Sequence, residues 1–376
     1  MTQLLTNARI FTGDEILQGW GLRLADGLVQ ELLAPGASAG DTAMTDLGGD
    51  LLAPGFIDCQ VNGGGGILFT DQPDVATISA IATAHRKFGT TGLLPTLIST
   101  DWESMTAAAA AVQTARKQGL AGLLGLHFEG PYLNPERKGA HDGAQIRPLD
   151  NTALDLFASA DLGSVVVTLA PEMVPPGTIR RLADAGVRIC AGHSAASHDQ
   201  ITAALDEGLA GFTHLFNAMP AMASRQPGIV GAALADRNSY CGIIADGHHV
   251  HPTTLRVALA AKTAGRMLLV TDAMPSVGGR DDSFQLAGRT VNVSDGRCTL
   301  ADGTLAGSNL DMATAVRNTV NLLEQTLEEA LRMASLYPAE FLGLAHERGR
   351  IAPGYRADLV QLDDDLNVRR TWIGGE

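Results

Sequence analysis

The chain is 376 residues long and 45% hydrophobic, enough for one large domain with an ample core and a smaller companion. Its 27 basic and 41 acidic side chains leave a formal net charge of −14, and no basic run offers a footprint for nucleic acid or an anionic membrane. No apolar run approaches the roughly 20 residues of a membrane span, and the start, MTQLLTNARIFTGDE, lacks the basic and apolar regions of a secretory signal.

Residues 1–52 read as short strands and turns, including the acidic AGDTAMTDLGGD, and form the first part of a small β domain. A repeated unit follows over residues 53–345. A short apolar run ends in a polar or glycine-containing loop, and a helical stretch comes next. The runs are LLAPGFIDCQ (51–60), TGLLPTLIS (91–99), AGLLGLHFE (121–129) and GSVVVTLAPE (163–172). They continue with VRICAGHS (187–194), GFTHLFNAM (211–219), YCGIIADGHH (240–249) and RMLLVTDA (266–273). Between them, helices are expected at 101–118 behind Thr100 or Asp101, at 176–185, and at 197–207 behind Ser197.

Eight such units predict an α/β fold, a (β/α)8 TIM-type barrel with its site at the carboxyl ends of the strands. An open doubly wound sheet is the alternative, but no GxGxxG turn follows the first strand. Segment 277–307 is an excursion after the eighth strand, with hairpin chemistry at Asp295-Gly296 and Asp302-Gly303. Residues 346–376 return to short strands and are expected to complete a small β-sandwich domain with the N-terminal segment. The four cysteines, Cys59, Cys190, Cys241 and Cys298, share no paired spacing, so no disulfide framework is expected and a reducing cytoplasm is the expected location.

The strand ends carry a coherent polar set: Glu129, His193, His214, Asp246 with His248 and His249, and Asp272. In a barrel these converge on one mouth. One carboxylate and two imidazoles (Glu129, His193, His214) suit a catalytic divalent metal with an open position. Asp272 is placed to take and return a proton. A single histidine at a strand end more often serves structure, so the weight rests on the combination. His127 is expected to hydrogen-bond behind this set. His85 and His198 are read as surface or packing residues on helices.

The stretches PGFIDCQVNG, GLHFEGPYLNPERKGAH, AGHS, THLFNAM, GIIADGHHV, LLVTDAM, LAGSNLDMATAVRN and GYRADLV occur in order along nearly the whole chain. Together they resemble the N-acetylglucosamine-6-phosphate deacetylases of the amidohydrolase superfamily. The resemblance implies a homodimeric, metal-dependent enzyme that releases acetate from N-acetylglucosamine 6-phosphate. It implies Glu129, His193 and His214 as metal ligands and Asp272 as general base and then acid. It further implies His141 and His249 as substrate contacts, and Asn217, Ala218 and Arg225 as phosphate contacts. Arg225 is the only strongly basic side chain in the loop after the sixth strand, and in the family phosphate contacts can come from the neighbouring subunit.

Two departures from the wider superfamily bear on the metal. VVVTLAPE has no lysine at the end of strand four, and Gln60-x-Asn62 stands where many members carry His-x-His. Amides are poor ligands, so one divalent metal per chain is expected. Zinc is the first choice, and iron, manganese and cobalt fit the same donors. Gln60 could reach the metal through a water, and Asn62 is a candidate substrate contact. The alternatives are a deacetylase preferring N-acetylgalactosamine 6-phosphate, or a barrel without chemistry that serves as a binding protein.

Overall fold

A computed structural model describes residues 2–37 and 43–376; residues 39–42, which open the acidic AGDTAMTDLGGD stretch, lie outside the described residues. The two ends of the chain meet in one hydrogen-bonded sheet of seven strands. Strand Gln3–Phe11 pairs antiparallel with Ile16–Ala25 and parallel with Ala43–Asp46 and Leu51–Pro54. The C-terminal strand Leu359–Leu362 runs antiparallel to Leu51–Pro54 and in turn carries Val368–Trp372. Alternate side chains from both ends, among them Leu5, Ile10, Leu22, Leu359 and Trp372, close a separate apolar core. The small β domain therefore needs both termini.

The run 51–60 reads as one strand but is two. Leu51–Pro54 belongs to the small sheet and Phe56–Val61 to the barrel. Gly55 makes the transfer, its N–H donating to the Asp358 carbonyl at 2.8 Å. A Cβ at this position would lie 2.2 Å from a Thr91 side-chain carbon, so the chain passes only as glycine.

The barrel strands are Phe56–Val61, Thr90–Ile98, Gly125–Glu129, Ser164–Leu169, Arg188–Ala191, Gly211–Phe212, Tyr240–Ile243 and Met267–Leu269. All are parallel and each pairs with its neighbour in sequence. Buried on both faces, such strands read as apolar runs instead of alternating ones. The first and eighth strands close the barrel just beyond their regular ends. There Asp272 N–H donates to Gln60 O at 3.0 Å and Asn62 N–H to Ala273 O at 2.9 Å. Beneath this seam the Thr271 hydroxyl donates to the buried Asp58 carboxylate at 2.5 Å. Burial pushes the Asp58 carboxyl up to about 7.

The helices follow the expected punctuation. Trp102–Lys117 starts behind Asp101, whose carboxylate accepts Ser104 N–H at 2.7 Å. His198–Asp206 starts with a capping box between Ser197 and Gln200. After the eighth strand an antiparallel four-stranded sheet spans Ser283–Leu286, Arg289–Ser294, Arg297–Thr299 and Leu305–Ser308. Asp295 and Gly296 both have positive φ, 50° and 76°, as a type I′ hairpin requires. This sheet buries Leu286, Val291, Cys298 and Ala306 against Leu68 and Met274, which fixes it over one side of the barrel mouth.

Candidate active site

Five non-glycine residues at the mouth, His193, His214, Phe216, Ala218 and Asp272, hold positive φ. Each such conformation costs about 1–3 kcal/mol and persists only where the surrounding structure holds it, and such residues gather at functional sites. At Asp272 the constraint is visible: its N–H donates to Gln60 O and its carbonyl accepts Ser308 N–H, while its side chain lines the mouth.

Glu129 is the last residue of the third strand. Its Oε1 lies 3.1 Å from His193 Nε2 and 3.0 Å from His214 Nε2, and the two ring nitrogens are 3.0 Å apart. His193 Nδ1 donates to the Arg137 carbonyl at 2.9 Å, so in the neutral ring Nε2 presents a lone pair to the carboxylate. Three donor atoms thus converge on one point, the lone pair of His193 Nε2 among them, and a shared cation would satisfy all three. The separations also approach the edge of about 3.3 Å for a tetrahedron of ligands bonded at about 2.0–2.1 Å. All three donors are buried, and together they form a group that could hold a metal ion. Burial opposes ionisation of Glu129, but the two imidazoles outweigh it and hold the carboxyl well below its usual range.

Asp272 lies beside this group. Asn62 Nδ2 donates to its Oδ1 at 2.7 Å, and Gln60 Nε2 donates to the same atom at 3.1 Å. The other Gln60 N–H goes to Glu129 Oε2, also at 3.1 Å. Because both neighbours are carboxylates, the amide nitrogen must face them. The two amides in place of a His-x-His pair thus act as donors that space two carboxylates. Burial, and then the negative charge of Glu129, raise the Asp272 carboxyl above its usual range.

His141 is buried on the loop after the third strand. Ser99 N–H donates to its Nδ1 at 3.2 Å, which places the ring proton on Nε2, 4.0 Å from Glu129 Oε1. Burial, reinforced by His193, pushes its pKa down to about 3, so the ring is a neutral hydrogen-bond donor. His249 is held through Nδ1, 2.6 Å from Asp246 Oδ2, while the other Asp246 oxygen accepts the N–H groups of His248 and His249. That leaves His249 Nε2 free of Asp246.

These groups line a cavity of about 320 Å³, together with Asn62, Asn217, Ala218 and Arg137. Gln60 is not part of its wall. Arg225 is exposed and also lies outside the wall, near the far end of the loop that precedes helix Gly228–Ala235. His127 sits deeper in the barrel between the Thr96 and Thr168 hydroxyls, 3.2 and 2.8 Å away. His85 is fully buried, with Nε2 2.9 Å from the Gly63 carbonyl, whereas His198 is exposed.

Three contributions escape the reading of strand ends. Arg137 orients His193 through its carbonyl. Glu172 lies in the turn Pro171–Met173 after the fourth strand. Its carboxylate accepts Asn134 Nδ2 at 2.9 Å, Ala195 N–H at 2.7 Å and the Ser194 hydroxyl at 2.7 Å, clamping the loop that carries His193. The excursion supplies Leu286, Thr304, Leu305 and Gly307 to the cavity wall. Both PERKGAH and TLAPE stood out in the sequence, but nothing in their spacing indicates these contacts.

A closed parallel barrel with a carboxylate and two imidazoles converging at its carboxyl mouth defines a barrel hydrolase. Residues 51–376 match the amidohydrolase family model. The chain is 43% identical over 373 residues to the N-acetylgalactosamine-6-phosphate deacetylase of Shewanella sp. strain ANA-3, covering 98% of this chain and 94% of that one. It is 38% identical over 390 residues to the N-acetylglucosamine-6-phosphate deacetylase of Homo sapiens, covering 99% and 94%. The crystal structure of N-acetylglucosamine-6-phosphate deacetylase from Pasteurella multocida superimposes with a TM-score of 0.96 at 35% identity, covering 100% of this chain and 99% of that one. The chain belongs to the amidohydrolase family and is a hydrolase, and its similarity to these proteins supports deacetylase activity.

Proposed function

We propose that the protein removes the acetyl group of an N-acetylhexosamine 6-phosphate, N-acetylglucosamine 6-phosphate in the first reading, releasing acetate and the amino sugar phosphate. The observation that carries this reading is Asp272, a buried carboxylate held by the Asn62 and Gln60 amides beside the Glu129, His193 and His214 donors. Glu129, His193 and His214 would hold one divalent ion, zinc before iron, manganese or cobalt, which would supply Lewis acidity and lower the pKa of a water. Asp272 takes the proton of the attacking water, steadied by the Asn62 and Gln60 amides, and returns it to the departing amine. His141, neutral and donating from Nε2, stabilises the oxyanion of the tetrahedral intermediate. His249, Asn217 and Ala218 position the sugar phosphate.

Arg225 is exposed, which suits a phosphate contact made across the interface of a homodimer, as in the resembling family. All four cysteines are unpaired and buried, which suits a reducing cytoplasm. Among the described residues no helix is long and apolar enough to cross a membrane.

A second reading, preference for the galacto epimer, is favoured by the 43% identity to the Shewanella protein against 38% to the human one. Rates of acetate release from the two epimeric 6-phosphates, and from N-acetylglucosamine without phosphate, test the proposal. The gluco 6-phosphate is expected to be the fastest. A faster galacto 6-phosphate would establish the second reading, and equal rates with and without phosphate would remove the phosphate from either.

A further inference from the structure

We infer that Arg137 is a phosphate anchor supplied by the chain's own site, a specificity contact on the loop after the third barrel strand. This rests on the hexosamine 6-phosphate reading and adds to it a residue that selects the phosphate.

Arg137 ends the short turn Pro135–Arg137 and lines the same cavity as His141, His193 and Asn217. Its backbone is held at two points, one of them on the donor cluster. Its carbonyl accepts from His193 Nδ1 and its N–H donates to the Asn134 carbonyl, each at 2.9 Å. The side chain is half-buried and its Nε is enclosed, yet among the described residues the guanidinium has neither a hydrogen bond nor an ion pair. A guanidinium carries five N–H donors and a charge it does not shed. Withdrawing it from water without an anion is unfavourable, and a bound anion would recover that loss.

Glu136, which also lines the cavity, is exposed and makes no ion pair with Arg137 among the described residues, and three further carboxylates are committed elsewhere. Glu129 is engaged by two imidazoles, Asp272 by two amides, and Glu172 by Asn134, Ser194 and Ala195. An unpaired cation at the wall of a cavity in a chain of net charge −14 is therefore a selective feature. Its place is also right for a phosphate shared with the loop after the sixth strand. Arg137 holds His193, Asn217 N–H holds the His214 carbonyl at 3.0 Å, and the two imidazoles are adjacent, so both loops flank the same pair. A phosphate offers the Arg fork two oxygens at once.

The test compares wild-type holoenzyme with Arg137→Gln and Arg137→Lys. It measures kcat and KM on N-acetylglucosamine 6-phosphate and on N-acetylglucosamine, with inorganic phosphate as a competitive probe. Arg137→Gln is expected to lower kcat/KM on the phosphorylated sugar by about ten- to a hundredfold, the loss typical of one charge-assisted bond, mainly through KM. The loss on the unphosphorylated sugar should be several-fold smaller, and inhibition by inorganic phosphate should weaken in parallel. Arg137→Lys should recover part of both, keeping charge without the fork. An equal loss on the two sugars, or undiminished inhibition by phosphate in Arg137→Gln, overturns the inference. Failure of the 6-phosphate reading is seen separately, in the wild type, as equal rates on the two sugars, and it removes the inference too.

Discussion

At Asp272 burial and the nearby Glu129 charge favour the protonated carboxyl, while Asn62 and Gln60 donate to the ionised one. That balance suits a group that must hold a proton briefly and release it. Asp272→Asn keeps the shape and loses the basicity, so kcat should fall by about 10²–10⁴-fold, the usual contribution of a general base, with metal content per chain retained. Steady-state kinetics and elemental analysis on one sample check this, and near-normal turnover would contradict the role. Glu129, His193, His214 and Asp272 were legible because a polar residue ending an apolar run in a parallel barrel has to face the mouth. Arg137 and Glu172 were not. Their parts come from a carbonyl, an amide and a hydroxyl met across loops, and such contacts leave no periodic trace.

Among the elements, the seam between the first and eighth barrel strands carries its own titration. Asp58 is buried there beneath Thr271, and burial pushes its pKa up to about 7. The unfolded carboxyl titrates near 4. Between those values the folded chain keeps a proton that the unfolded chain has lost, so stability falls as pH rises through that window and levels off above it. Asp58→Asn does not titrate. Its stability relative to wild type should therefore rise from about pH 5 to about pH 7 and change little beyond, by a few kcal/mol at most. Denaturant melts at several pH values check this, and a constant difference from pH 5 to 8 would contradict it. The eight strand positions were readable from their apolar runs. The division of 51–60 at Gly55 was not, since a run that leaves one buried sheet for another keeps its composition. The excursion was readable as hairpins from Asp295-Gly296, but its place over the mouth depends on Leu286 and Met274 meeting in space.

On the scale of the whole molecule, strands from both ends form one small domain, while the barrel presents its chemistry at a single mouth roofed on one side by the excursion. The two amides, Gln60 and Asn62, connect this architecture to the metal count. Their N–H groups are directed at Glu129 and Asp272, so the strand position that serves a second metal elsewhere in the superfamily is given over to orienting carboxylates. The most direct test is the metal content of the purified holoenzyme, measured alongside acetate release from N-acetylglucosamine 6-phosphate before and after chelation. One tightly bound divalent ion per chain, lost together with activity and restored with it, is the predicted result. Two tightly bound ions per chain, or full activity after the metal is gone, would contradict the account.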